Sequence, residues 1–146
     1  MPHVTRADVL HSALPPGEIV RSRHQFTLAP EARQVRPARR FVLDHVPALH
    51  ADECDTLALL TSELVTNAVI HPRTEIIVAV VVTDHYVLVS VHDLDLGRAE
   101  LDPGSREGGW GLGLVASLAD AAARLVHPDG GKTAWFRLRR SATADG

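Results

Sequence analysis

Apolar positions along the chain change their period several times, and each change predicts an element. Arg21 to Leu28 reads as a first strand. Pro30-Glu31-Ala32 has the composition of a helix start, with proline in the first turn and an acid beside it. Val35, Ala38, Phe41, Val42 and Val46 then recur at roughly helical spacing. Pro37 falls inside that stretch, so the helix is expected to begin late or to kink. From Ala51 to Ile70 the helical signal is strong. Leu57, Leu60, Leu64 and Ala68 form one apolar stripe, Asp52 is the expected N-cap, and Pro72 ends the helix. Two runs rich in valine and isoleucine, Glu75 to Val82 and Tyr86 to His92, predict strands joined by a hairpin at Thr83-Asp84-His85. Arg98 to Gly109 is polar and turn-rich and reads as a long loop. Leu112 to Ala123, small and apolar, reads as a helix. Arg124 to His127 and Thr133 to Leu138 read as two last strands joined through Pro128-Asp129-Gly130-Gly131.

The order strand, helix, helix, strand, strand, loop, helix, strand, strand lacks strict β-α-β alternation, which argues against a Rossmann-like fold. It predicts an α+β protein: a two-layer sandwich with a mixed, mostly antiparallel sheet and helices on one face. The 146 residues suit one domain with a single core. Residues 1–20, with Pro15 and Pro16 and no sustained period, are expected to be a flexible leader. Residues 21–140 are the domain, and 141–146 a loose tail.

Composition narrows the function. At 45% hydrophobic and 23% charged residues, the chain is that of an ordinary soluble protein. A net charge of -3 argues against a direct nucleic-acid binder, which needs a basic face. The longest apolar run, Ile76 to Val82, is strand-sized, so no membrane span is expected, and the N-terminus lacks the layout of a signal peptide. The single cysteine, Cys54, allows no intrachain disulfide and suits a reducing, cytoplasmic location. Its neighbours Asp52, Glu53 and Asp55 make an acidic setting, not the electropositive one that a reactive thiol needs.

Two constellations carry candidate chemistry. Glu63, Asn67 and His71 follow one another at four-residue spacing, and each such step advances only about 40° around a helix. They therefore share one edge, next to the apolar stripe. Such an edge can be a solvated rim, with a histidine suited to a helix C-terminus. It can equally line a pocket. Asparagine is a poor zinc ligand, whereas its carbonyl suits magnesium with phosphates completing the shell. The second constellation begins at Asp93, where a strand ends in Asp93-Leu94-Asp95-Leu96-Gly97. A carboxylate at a strand end can be part of an ordinary turn or can accept a hydrogen bond from a ligand amine. Gly108-Gly109-Trp110-Gly111-Leu112-Gly113 then surrounds a helix start. Glycines cost helix stability, so the cluster is either a hinge or a turn whose free amides bind phosphate. Two look-alikes fail. Gly109 to Leu114 is not set in a β-α-β unit, and Gly131-Lys132-Thr133 lacks the earlier glycine and the following helix of a P-loop.

Taken together and in this order, these segments resemble the Bergerat ATP-binding fold, the superfamily of DNA gyrase B, the 90-kilodalton heat-shock chaperone and the sensor histidine kinases. Within it they are similar to the small anti-sigma-factor serine kinases, and the likeness runs from about Arg21 to Leu138. Glu63, Asn67, Ala68 and His71 match the family's Glu-x-x-x-Asn-Ala-x-x-His motif. The resemblance implies that Asn67 holds Mg2+ against the phosphates of ATP, that Glu63 is the general base or orients the attacking hydroxyl, and that His71 supports the pocket. Asp93 matches the acid that reads the adenine amine and Gly97 the last glycine of Asp-x-Gly-x-Gly. Asp95 replaces the first glycine of that motif. Gly109, Gly111 and Gly113 match the final glycine box, with Leu112 and Leu114 packing below. Thr133 matches a threonine that fixes adenine through water. Arg98 to Glu107 would be the lid over ATP, with Arg106 near the phosphates.

The implied partners are a sigma factor and an anti-anti-sigma protein of the STAS type, and relatives often form homodimers. No histidine-bearing helix pair precedes the domain, which points away from a complete sensor kinase. Two functions follow. One is a kinase that phosphorylates a serine or threonine of its partner. The other is a nucleotide-binding module that acts by protein contact alone, which Asp95 and the short lid would favour.

Overall fold

The structure is a computed structural model and describes residues 12–70, 74–93, 115, 117–127 and 131–141. The valine-rich runs pair first with each other. Strands β1 (Val20–Leu28), β2 (Ile76–Thr83), β3 (Tyr86–Asp93), β4 (Ala121–Val126) and β5 (Lys132–Arg139) form one sheet in the order β1-β2-β3-β5-β4, and every neighbouring pair is antiparallel. β2 and β3 form the expected hairpin, pairing from Ile76–Asp93 to Val82–Val87. The Thr83 hydroxyl accepts the Tyr86 N–H at 3.0 Å and closes the turn.

Two helices cover one face of the sheet. α1 (Val35–Asp44) follows a 3-10 turn at Ala32–Gln34. Pro37 therefore lies in the first turn of α1, where its missing N–H has no helical partner to lose, so the helix begins late and is not broken. α2 (Ala51–Ile70) has the expected span. Its cap differs from expectation. The His50 C=O accepts the first helical bond from Cys54 N–H at 2.9 Å, and Glu53 Oε1 accepts the His50 N–H at 2.9 Å. His50 is thus the cap and Glu53 supplies the returning half of a capping box, while Asp52 lies within the first turn. Among the described residues no helix is long and apolar enough to cross a membrane.

The apolar runs of β2 and β3 are continuous because both sheet faces are covered. On the helix side Ile76, Val78, Val80, Val89, Val91 and Phe136 meet Val42, Leu57, Leu60, Leu64 and Val65 in the main core. On the opposite side Val81 and Leu88 pack with Ala13, Leu14 and Trp135. That second cover comes from the segment expected to be a flexible leader. Its described part, 12–19, is fastened down: Ala13 is buried, and Arg137 Nη1 donates to the Ala13 C=O at 2.8 Å. Glu18 accepts bonds from the Thr83 hydroxyl (2.7 Å), the His85 N–H (2.9 Å) and His85 Nδ1 (2.8 Å). Burial alone would raise the pKa of Glu18, but these bonds and the nearby imidazole outweigh it and hold the carboxyl at about 2.

Two further expectations change. Ala121–Ala123 was expected to end a helix and instead begins β4. Val115, Ser117 and Leu118 are helical, and Ala119 N–H donates to the Val115 C=O at 2.8 Å. Three alanines favour helix intrinsically, but pairing with Arg137, Phe136 and Trp135 outweighs that preference. The tail expected to be loose from Ser141 is held at its first residue, whose N–H and hydroxyl both donate to Glu53 Oε2 at 2.9 and 2.7 Å. Burial would raise the pKa of Glu53, yet these bonds and the one from His50 bring it below the ordinary carboxylate range.

Candidate functional site

Helical geometry sets the position of Glu63 and Asn67. Leu60 and Leu64 turn toward the sheet, and Ser62 turns toward α1, where Arg39 Nη1 donates to its hydroxyl at 3.0 Å. Glu63 and Asn67 lie on the remaining flank, the one that faces away from α1, and both are half-buried. α1 sits over β1 and β2 and α2 over β3 and β5, so this flank overlooks the β5–β4 half of the sheet. Among the described residues the Glu63 carboxylate has no hydrogen-bond or ion-pair partner.

Asp93 ends β3 on the same, helix-facing side. The register pairs it with Ile76 on one side and Lys132 on the other. Lys132 Nζ donates to Asp93 Oδ2 at 2.9 Å, and the two side chains are only 15% and 11% exposed. An ion pair this well covered fixes the direction of its carboxylate. Lys132 was noticed in the sequence only as part of a failed P-loop. The signal that finds it is the register: once β3 and β5 are paired antiparallel, Lys132 is the residue opposite Asp93.

Gly131 precedes Lys132 with φ at 85°, a left-handed conformation that suits glycine, and its C=O accepts the His127 N–H at 3.0 Å. The next residue, Thr133, points to the opposite face, as strand alternation requires. Its hydroxyl stands between His92 Nδ1 and His127 Nε2, 2.7 Å from each, and all three residues are buried. One hydroxyl has one proton and two lone pairs, so it can donate to one ring and accept from the other. The side chain expected to help fix adenine is therefore engaged across the sheet from Asp93.

The structure thus brings Glu63, Asn67 and Asp93 to one side of the sheet and puts the Thr133 side chain on the other. His71, Gly97, Gly109, Gly111, Leu112 and Gly113 lie outside the described residues, as do Asp95 and Arg106. An open cleft of about 200 Å3 lies at the other end of α2, between Asp52, Glu53, Thr56, Leu138 and Arg140, and does not include these residues.

The donor set fits a nucleotide-borne cation. Among the described residues no three His, Cys, Asp or Glu side chains stand together as a metal site. Asn67 offers a single amide oxygen, so phosphate oxygens and water would complete a magnesium shell.

No curated protein matches the chain in sequence. A family model of the histidine kinase-like ATPase domain matches residues 28–138. The match runs from the last residue of β1 to the penultimate residue of β5, and the chain belongs to the histidine kinase-like ATPase domain family.

Proposed function

We propose that the domain binds Mg2+-ATP along the Glu63–Asn67 flank of α2 and transfers the γ-phosphoryl group to a serine or threonine of a partner protein. The partner is an anti-anti-sigma protein of the STAS type. When that partner is absent, the domain sequesters a sigma factor, a role carried out in the cytoplasm. The observation that carries this reading is the shared side of Glu63, Asn67 and Asp93 in a chain of the ATPase family.

Phosphoryl transfer needs positioning and charge neutralisation more than covalent help from the protein. Asp93 accepts a hydrogen bond from the adenine amine, and Lys132 keeps its carboxylate aimed. The Asn67 amide oxygen holds the metal, which when bound neutralises phosphate charge. Glu63 receives or orients the proton of the attacking hydroxyl, and having no side-chain partner among the described residues is consistent with that role. By the family likeness, His71, Gly109, Gly111, Leu112 and Gly113 are assigned to the phosphate end of the nucleotide. By the same likeness, Gly97 belongs with Asp93 to the adenine end.

A second reading, a module that acts by protein contact alone, is favoured by the Asp93–Lys132 pair, because the lysine competes with adenine for that carboxylate. Calorimetry with ATP, with and without Mg2+, decides between them, followed by transfer of labelled phosphate to STAS-type proteins. Magnesium-dependent ATP binding lost in Asn67→Ala, with phosphate incorporated into a partner, supports the kinase. Nucleotide binding without transfer supports the module, and no nucleotide binding removes both the base-reading and the metal-holding roles.

A further inference from the structure

Asp93 is the last residue of β3 and Lys132 the first of β5, and the register sets them opposite each other. Lys132 is also paired with Val126 of β4, so its backbone is fixed from both sides. Its ammonium reaches Asp93 Oδ2 at 2.9 Å, and neither side chain is more than 15% exposed. A hydrogen-bond acceptor and a donor thus stand side by side on strands held within the sheet, where side chains are positioned more sharply than on loops.

The two groups do not exhaust each other. An ammonium has three N–H donors and a carboxylate about four acceptor positions, and one hydrogen bond between them uses one of each. A ligand edge lying against the pair can therefore give an N–H to the carboxylate and take one from the ammonium. Adenine has such an edge, with a donor on its 6-amino group and an acceptor at N1. A 6-oxopurine has the reverse, with an acceptor at O6 and a donor at N1. A carboxylate alone suits adenine and sets its lone pairs against O6. Unpaired polar groups of that kind let a site reject an analogue by about 10,000-fold or more. With the ammonium alongside, both edges find a donor and an acceptor, and only their order is exchanged. The flexible stem of lysine lets the donor follow that exchange, and its charge offsets the repulsion between the carboxylate and O6.

We propose, on the footing that Asp93 marks the base end of a nucleotide site, that Lys132 is a specificity-determining residue and that the site takes 6-oxopurine nucleoside triphosphates as well as ATP. Lys132 donates to N1 of adenine or to O6 of the oxopurine, while Asp93 accepts from the neighbouring N–H.

Calorimetry in the presence of Mg2+ tests this by changing the base alone. Inosine triphosphate carries the 6-oxo group on the same ribose and phosphates as ATP. Its dissociation constant is expected to lie within about tenfold of that of ATP. 1-Deaza-ATP, with C–H in place of N1, leaves the ammonium without its acceptor and is expected to bind at least about tenfold more weakly than ATP. Both measurements use the wild-type protein, so neither depends on a variant that folds. In Lys132→Met, with the fold checked by its melting curve, the inosine-to-adenine ratio of dissociation constants is expected to rise at least about tenfold, and the penalty for 1-deaza-ATP to vanish. A lysine that only neutralises Asp93 within the fold would shift all three nucleotides alike. Weaker binding of inosine triphosphate than expected overturns the proposal and leaves the ATP site standing. So does a smaller penalty for 1-deaza-ATP, or a ratio unchanged in Lys132→Met. A protein that binds no nucleotide removes the proposed ATP site as well, which separates the two failures.

Discussion

Glu18→Gln is the sharpest test of how the second sheet face is covered. Three donors converge on one carboxylate, at 2.7, 2.8 and 2.9 Å, from Thr83 and His85 in the β2–β3 turn. The Glu18 side chain is only 10% exposed, whereas that of His85 is 57% exposed. A carboxyl lowered from the ordinary value of 4.5 to about 2 corresponds to at most about 3.5 kcal/mol of stability, at roughly 1.4 kcal/mol per pKa unit. Solvent around His85 screens part of this, leaving about 2 kcal/mol. The folded pKa lies below the unfolded one. The contribution is therefore complete above the unfolded value and is lost as pH falls toward about 2. Glutamine keeps the shape and removes the charge. Urea denaturation of the wild type and Glu18→Gln at several pH values should give a gap of about 2 kcal/mol at neutral pH, narrowing steadily below about pH 4.5. A gap of the same size at pH 7 and pH 3 would refute the argument. So would no gap at neutral pH, because the clasp would then add nothing to stability.

Other outcomes follow from the same structure. Asn67→Ala is expected to lose the magnesium-dependent part of ATP affinity in calorimetry. Glu63→Ala should bind ATP like the wild type and transfer phosphate at least about 100-fold more slowly in a single-turnover assay. Lys132→Met leaves Asp93 covered without its cation and should destabilise the domain by about 2–3 kcal/mol in chemical denaturation, less than for a fully buried pair. Phe136→Ala, in the fully buried middle of β5, should cost about 3–5 kcal/mol and lower the melting temperature accordingly.

Much of the framework was legible because it rests on local signals. α2 was readable from its stripe and from Pro72, and the β2–β3 hairpin from two valine-rich runs with the three residues Thr83-Asp84-His85 between them. The misreadings concern residues whose state depends on distant partners. Ala121–Ala123 is helix-forming by itself and becomes strand only beside β5. Residues 12–19 have no period of their own and are held by Thr83, His85 and Arg137, which lie 65 or more positions away. At the site, the spacing of Glu63 and Asn67 was sufficient, because one helix carries both. Lys132 and Thr133 were not separable by sequence, since adjacent residues of a strand part to opposite faces and only the register shows which one joins Asp93.

The family match begins at Leu28, yet β1 covers the whole length of β2 from Val20 to Leu28. A fragment trimmed to the matched span would leave Ile-Ile-Val-Ala-Val-Val-Val-Thr as a bare, uncharged border, the kind of segment that seeds cross-β aggregates. The smallest unit that keeps β2 covered therefore extends beyond the matched residues, and the extra stretch is the part that shields this border.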